Sequence, residues 1–249
     1  MSLAAGFSFV RKNPHMGLSA LLFMSGIGFL YANVPTLSGA LFGAGASLLG
    51  AWVTELNNRR SLADDKARRE AEARRYLAPE LNRIIERVLY IHSRAIPNFT
   101  TASVGNEIKT NDLREDFIPY MPVLYPNAPQ FRDLSGDDAT ALITFYDSLH
   151  ALEKFVNDWW GREGQLPVNI FNMIMKLATD SLMLADTCIA RFELEKLFPP
   201  QYESWGTLSS RIERSKVTSA QSLESHIARF EAKAEVNAAG PKDRSVGVR

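Results

Sequence analysis

Cysteine is almost missing from this sequence. Cys188 stands alone, which excludes a disulfide within the chain and a cysteine-rich zinc site. Histidine is scarce too. His15, His92, His150 and His226 lie too far apart for a local metal-ligand motif, so neither a metal nor another cofactor is expected. Net charge is absent, since 28 basic and 28 acidic residues cancel. No glycine-rich phosphate loop follows a strand, and no His-x-x-x-His, Cys-x-x-Cys or nucleophile-elbow pattern occurs.

The most informative absence is local. Residues 17–53 contain no Asp, Glu, Lys or Arg. One helix of that length would run roughly 55 Å, whereas a bilayer core is ~30 Å thick and about 20 apolar residues cross it. The run is interrupted by Asn33-Val34-Pro35-Thr36, where proline removes an amide donor and restricts its neighbour. The expected organisation is two crossings, 17–33 and 36–55, joined by a tight turn. Basic residues flank both outer ends: Arg11 and Lys12 before, then Arg59, Arg60, Lys66, Arg68, Arg69, Arg74 and Arg75 after. The turn carries no charge. The positive-inside rule then predicts a multi-pass membrane protein with both termini cytoplasmic. Arg59 and Arg60 would meet lipid headgroups. A cleaved signal peptide with 18–31 as its apolar region is the rival reading, and it would leave the second span as an anchor.

Gly39, Gly43 and Ser47 recur every four residues in the second span and share a face, so membrane helices could approach closely there. One reading packs that face on the first span, which has its own small residues Ser25, Gly26 and Gly28. The other makes it the seam of a homo-oligomer.

Residues 56–78 mix Arg, Asp, Glu and Ala with few apolar side chains. This predicts a solvated helical stalk with pairs such as Asp64–Arg68 and Glu70–Arg74. The acids dilute the basic field and no aromatics interleave, so nucleic acid is not an expected partner. Pro79 should break or restart the helix, and Pro97 should end the amphipathic stretch carrying Leu77, Leu81, Ile84, Ile85 and Val88. Residues 98–136 hold four prolines and large apolar residues that want burial, Phe117, Ile118, Tyr120, Val123, Leu124, Tyr125 and Phe131 among them, which reads as a long loop laid over helices. Within it, a short helix at 128–134 would be capped by Asn127. Two further amphipathic helices follow, one capped by Asp137 or Asp138 and ending near Gly161, the next running from Pro167 to Phe198. A weaker helix spans 206–234, with Leu208, Ile212, Leu223, Ile227 and Phe230 inside. The fold class is therefore all-α: segment 1–16, hairpin 17–55, stalk 56–78, a helical domain 79–234 of about four helices, and a disordered tail 235–249.

Within 122–155, the runs Pro122-Val-Leu-Tyr125-Pro126, Phe131-Arg-Asp-Leu134 and Phe145-Tyr146-x-x-Leu149 resemble a pattern in uncharacterised bacterial membrane-anchored proteins. The resemblance covers about a seventh of the chain. It implies a bacterial source, and so the bacterial inner (plasma) membrane, an N-terminal transmembrane hairpin with a helical cytoplasmic domain, and no activity or catalytic residue.

Two polar residues fall on apolar stripes. His92 lies in line with Leu81, Ile85 and Val88, and Glu153 lies among Leu142, Tyr146, Leu149 and Trp160. Each should find a hydrogen-bond partner in a tyrosine, the backbone or a water, or in each other directly or through one water, or else serve in catalysis or pH sensing. Three functions compete: a membrane-anchored interaction or scaffold module that meets lipids and a protein partner or its own copies; a pore or effector built on the hairpin; and a hydrolase-like enzyme around His92 and Glu153.

Overall fold

In the computed structural model, residues 14–106, 108, 113–160 and 167–239 are described, and among them every regular element is helical. Arg11, Lys12, the expected break at 161–164 and the tail from 240 lie outside the described residues. In chain order the helices are α1 (Pro14–Tyr31), α2 (Pro35–Ser103), α3 (Leu113–Phe117), α4 (Gly136–Trp160), α5 (Pro167–Arg191), α6 (Leu194–Leu197) and α7 (Leu208–Ala239). Short 3-10 turns occupy Pro129–Asp133 and Glu203–Trp205. The chain divides into two compact units, Met1–Arg69 and Glu70–Arg249.

The first unit holds α1 and the start of α2, both long and apolar enough to cross a membrane. Helix α1 ends in a Schellman turn. Val34 N–H donates to Phe29 O at 3.1 Å, Asn33 N–H donates to Leu30 O at 3.2 Å, and Asn33 takes the left-handed conformation with φ 58°. Pro35 then opens α2, at the position where a missing amide costs least.

The seam between these helices rests on a short motif that occurs twice. Ser19-x3-Phe23-x2-Gly26 on α1 matches Ser38-x3-Phe42-x2-Gly45 on α2. Ser19 Oγ donates to Gly45 O and Ser38 Oγ donates to Gly26 O, both at 2.8 Å. The Phe42 ring covers Gly26, and the Phe23 ring covers Gly45. The arrangement is an approximate two-fold. Each glycine makes room for the other helix's ring, and each serine satisfies its hydroxyl across the interface instead of on its own helix. Gly39, Gly43 and Ser47 are therefore not the hairpin seam. A Cβ on Gly39 or Gly43 would meet nothing within 4 Å, and Ser47 is exposed.

In the second unit α2 continues to Ser103, so neither Pro79 nor Pro97 ends it. Both prolines are on the exposed side. There, the carbonyls one turn earlier can bond water, so the missing amides are cheap. The core is built by Leu77, Leu81, Ile84, Ile85, Val88 and Ile91 of α2, Leu142, Phe145, Leu149 and Leu152 of α4, and Ile174, Ala178, Leu182 and Ala185 of α5. Leu208 and Ile212 of α7 close it. Four boundaries differ from expectation. Helix α4 is capped by Ser135, whose Oγ accepts the Asp138 N–H at 3.2 Å, because both aspartates are already inside the first turn. Helix α5 stops at Arg191, and Glu193 turns left-handed (φ 50°) before α6. The turn at Pro129–Asp133 is capped by Ala128 without a side-chain bond, so Asn127 is not its cap. Helix α7 runs to Ala239, which overturns disorder for 235–239; Ile227 and Phe230 are exposed rather than buried.

The loop before α4 is fixed by α2. Glu80 accepts the amides of Val123 and Leu124, and Arg87 donates to the carbonyls of Ile118 and Glu115. Arg83 and Arg87 lie over the Tyr120 ring at 5.3 and 5.1 Å from its centroid. Phe117 is fully buried beneath. Asp138, almost inaccessible, is gripped by Arg191 at 3.1 Å and faces Arg74 at 3.6 Å. Arg74 thus faces this buried acid, and Arg68 pairs with Asp65 at i,i+3 rather than with Asp64.

Candidate functional site

His92 is fully buried where α2, α5 and α7 meet. Its two ring nitrogens are both engaged. Ser215 Oγ of α7 lies 2.7 Å from Nδ1, and Thr179 Oγ1 of α5 lies 3.0 Å from Nε2. Burial lowers its pKa from 6.5 to about 4, so the ring is neutral near pH 7 and has one N–H and one lone pair to share.

Glu153 is elsewhere. It is about one-third exposed and faces His150 on its own helix at 3.8 Å, so the expected His92–Glu153 contact does not form. The helical wheel misplaced it because Phe145 and Leu152 are both fully buried. The inward face of α4 is turned toward them, and the long acid side chain can reach water from the other flank.

Ser215 connects the buried histidine to the surface. Its Oγ is 3.2 Å from Ser93 Oγ, and both serines line an open groove of about 640 Å³ between α2 and α7. Leu89, Ile96 and Pro97 supply apolar lining, while Glu86, Tyr90, Arg211, Arg214 and Thr218 supply the polar part. Arg211 binds Glu86 through both terminal nitrogens, at 2.6 and 2.8 Å, the two-point geometry that holds a guanidinium most firmly. Arg214 donates to Trp205 O at 3.1 Å and has no carboxylate partner among the described residues. A smaller recess lined by Ser204, Trp205, Arg211 and Arg214 adjoins.

The chemistry open to this arrangement is limited. A nucleophilic serine needs a base oriented by a third group. Here the second nitrogen of His92 meets a threonine hydroxyl rather than a carboxylate, and the ring is too weakly basic near pH 7 to take a proton readily. The set works as a hydrogen-bond relay joining three helices. Sequence reasoning found His92 but missed Ser215, Ser93 and Thr179, because hydroxyl residues on helices usually bond their own backbone. The available signal was Ser215 itself, on the same face as Leu208 and Ile212.

In the first unit, Arg59 Nε donates to Glu55 at 2.6 Å, and Arg60 is exposed. Arg59 lines a cleft of about 500 Å³ with Pro14, His15, Trp52 and Glu55. Among the described residues no cluster of His, Cys, Asp and Glu could hold a metal ion. In comparison with known protein families, curated proteins and solved structures, nothing matches this chain.

Proposed function

We propose that the chain is a membrane-anchored helical interaction module, held by the α1–α2 hairpin and presenting the second unit to a partner. The observation that carries this reading is the outer surface of the hairpin. Leu18, Leu21, Met24, Leu30 and Leu49 are all 40% or more exposed, although the helices are already joined by a satisfied seam. Apolar side chains in such number beside a closed interface need lipid or other apolar cover. In this reading both termini are cytoplasmic, Arg59 and Arg60 lie at headgroup level, and Gly39, Gly43 and Ser47 offer a free face to another membrane helix. The polar relay in the second unit favours an interaction module over a hydrolase, since it lacks an oriented base. The absence of charge in the spans gives the pore reading no ion pathway to build on.

The test is alkaline carbonate extraction of membranes bearing the full chain, combined with photo-crosslinking in cells from Phe230, an exposed apolar residue of α7. Retention in the carbonate pellet, with a discrete crosslinked partner, is expected. Release into the carbonate supernatant would overturn the anchor, and an absence of any adduct would overturn the interaction role.

A further inference from the structure

We propose that the α2–α7 groove is a binding site for a small amphipathic carboxylate, with the acid group on Arg214 and Ser93 and the apolar body against Leu89, Ile96 and Pro97. Charge comes first. Of the three ionic groups lining the groove, Glu86 and Arg211 neutralise each other in a two-point pair. Arg214 is left as the one uncompensated charge of the lining, and it is positive. A groove with apolar walls and a single cation suits one anionic group on an apolar ligand, and 640 Å³ is within the ordinary range for a small molecule.

The hydroxyls point the same way. Along α7, Ser210, Thr218, Ser219, Ser222 and Ser225 all bond carbonyls one turn back or nearly so. Ser215 instead faces His92 and Ser93, which gives a continuous chain from Thr179 through His92 and Ser215 to Ser93 at the groove. The chain can run in two directions. In one, His92 Nδ1–H donates to Ser215, Ser215 donates to Ser93, and the Ser93 hydroxyl is free to donate into the groove. In the other, Ser93 donates inward and offers the groove only a lone pair. An anionic oxygen selects the first direction and so fixes the proton of His92 on Nδ1. Pro97 adds an acceptor: it has no N–H for the Ser93 carbonyl one turn earlier, so an amide beside the acid group has a place to donate. N-acylated amino acids carry acid, amide and apolar body together.

The experiment uses the full chain in detergent, labelled with 15N-histidine. N-acetyl-leucine and its uncharged analogue N-acetyl-leucinamide are titrated by calorimetry and by histidine 15N shifts. Saturable binding of the acid is expected, with the amide failing to bind, the His92 proton on Nδ1 in the bound state, and about tenfold or greater loss in Arg214→Gln, the scale of one charge-assisted hydrogen bond. Arg214 is exposed, and an unchanged thermal melt verifies that the variant folds. The proposal is overturned if neither compound binds, if the amide binds as well as the acid, if Arg214→Gln binds normally, or if bound-state His92 carries its proton on Nε2.

Discussion

Ser215 Oγ lies 2.7 Å from His92 Nδ1 and ties α7 to the interior of the second unit through a neutral ring. The pH dependence of this tie has a definite sign. His92 has a folded pKa of about 4 against 6.5 unfolded, so the unfolded chain binds more protons between those values. Its contribution is whole above pH 6.5 and is lost as pH falls toward 4, by roughly 3 kcal/mol in total. We expect denaturant unfolding to show declining stability from pH 6.5 to 4.5. His92→Leu should flatten that decline, with Thr179 and Ser215 turning to their own helix carbonyls. An unaltered slope in the variant would assign the decline to other groups.

The buried acid Asp138 gives an asymmetric pair of variants. Arg191→Ala leaves a carboxylate 3% exposed with only the more distant Arg74, so this variant should show the larger loss. Asp138→Ala leaves two arginines, each more than a third exposed, which can turn to water, so its loss should be the smaller of the two. Equal losses in urea titrations of the two variants would contradict this account.

Glu80 holds the amides of Val123 and Leu124, and with them the proline-rich connection. Glu80→Ala leaves these amides without a partner, and we expect faster limited proteolysis between Pro119 and Pro126 with the helical circular dichroism unchanged. A cleavage rate equal to wild type would show that the arginine–Tyr120 contacts suffice alone.

The two glycine faces of α2 separate cleanly. A side chain at Gly45 begins 3.2 Å from the Phe23 ring, whereas at Gly43 it begins in open space. Gly45→Leu should destabilise the hairpin by about 1–3 kcal/mol, as overpacking does. Gly43→Leu should leave it intact and, on the proposed membrane-anchored reading, act only on contacts with a further helix, read as oligomer size in detergent. Equal thermal shifts in the two variants would mean that the seam is not where the Phe23 ring places it.

Much of this was legible in the sequence, for identifiable reasons. The charge-free run and its Asn33–Pro35 break marked two helices and a turn because both signals are local. The buried stripes of α4 and α5 followed from spacing alone, and so did His92. Pro97 misled because a proline is read as a breaker, while its actual cost depends on which side of the helix it occupies. The Ser-x3-Phe-x2-Gly repeat was in plain view, but a repeat of three residues gains meaning only once an antiparallel partner shows what each residue touches. Ser215 and Thr179 were hidden for the same reason: a hydroxyl's partner 123 or 87 positions away leaves no periodic trace.

The Schellman turn at Asn33 has a bearing on biogenesis. Its backbone groups bond back to Phe29 and Leu30, and it contains no ionised side chain. For a helical pair that enters a bilayer from one side, the leading edge is then a closed knot of three residues, with one asparagine as its only strongly polar side chain. On the proposed membrane-anchored reading, no ion has to be dragged through hydrocarbon, so the electrical potential across the membrane has no charge in the turn to act on. Insertion of this pair should proceed at the same rate in energised and depolarised vesicles.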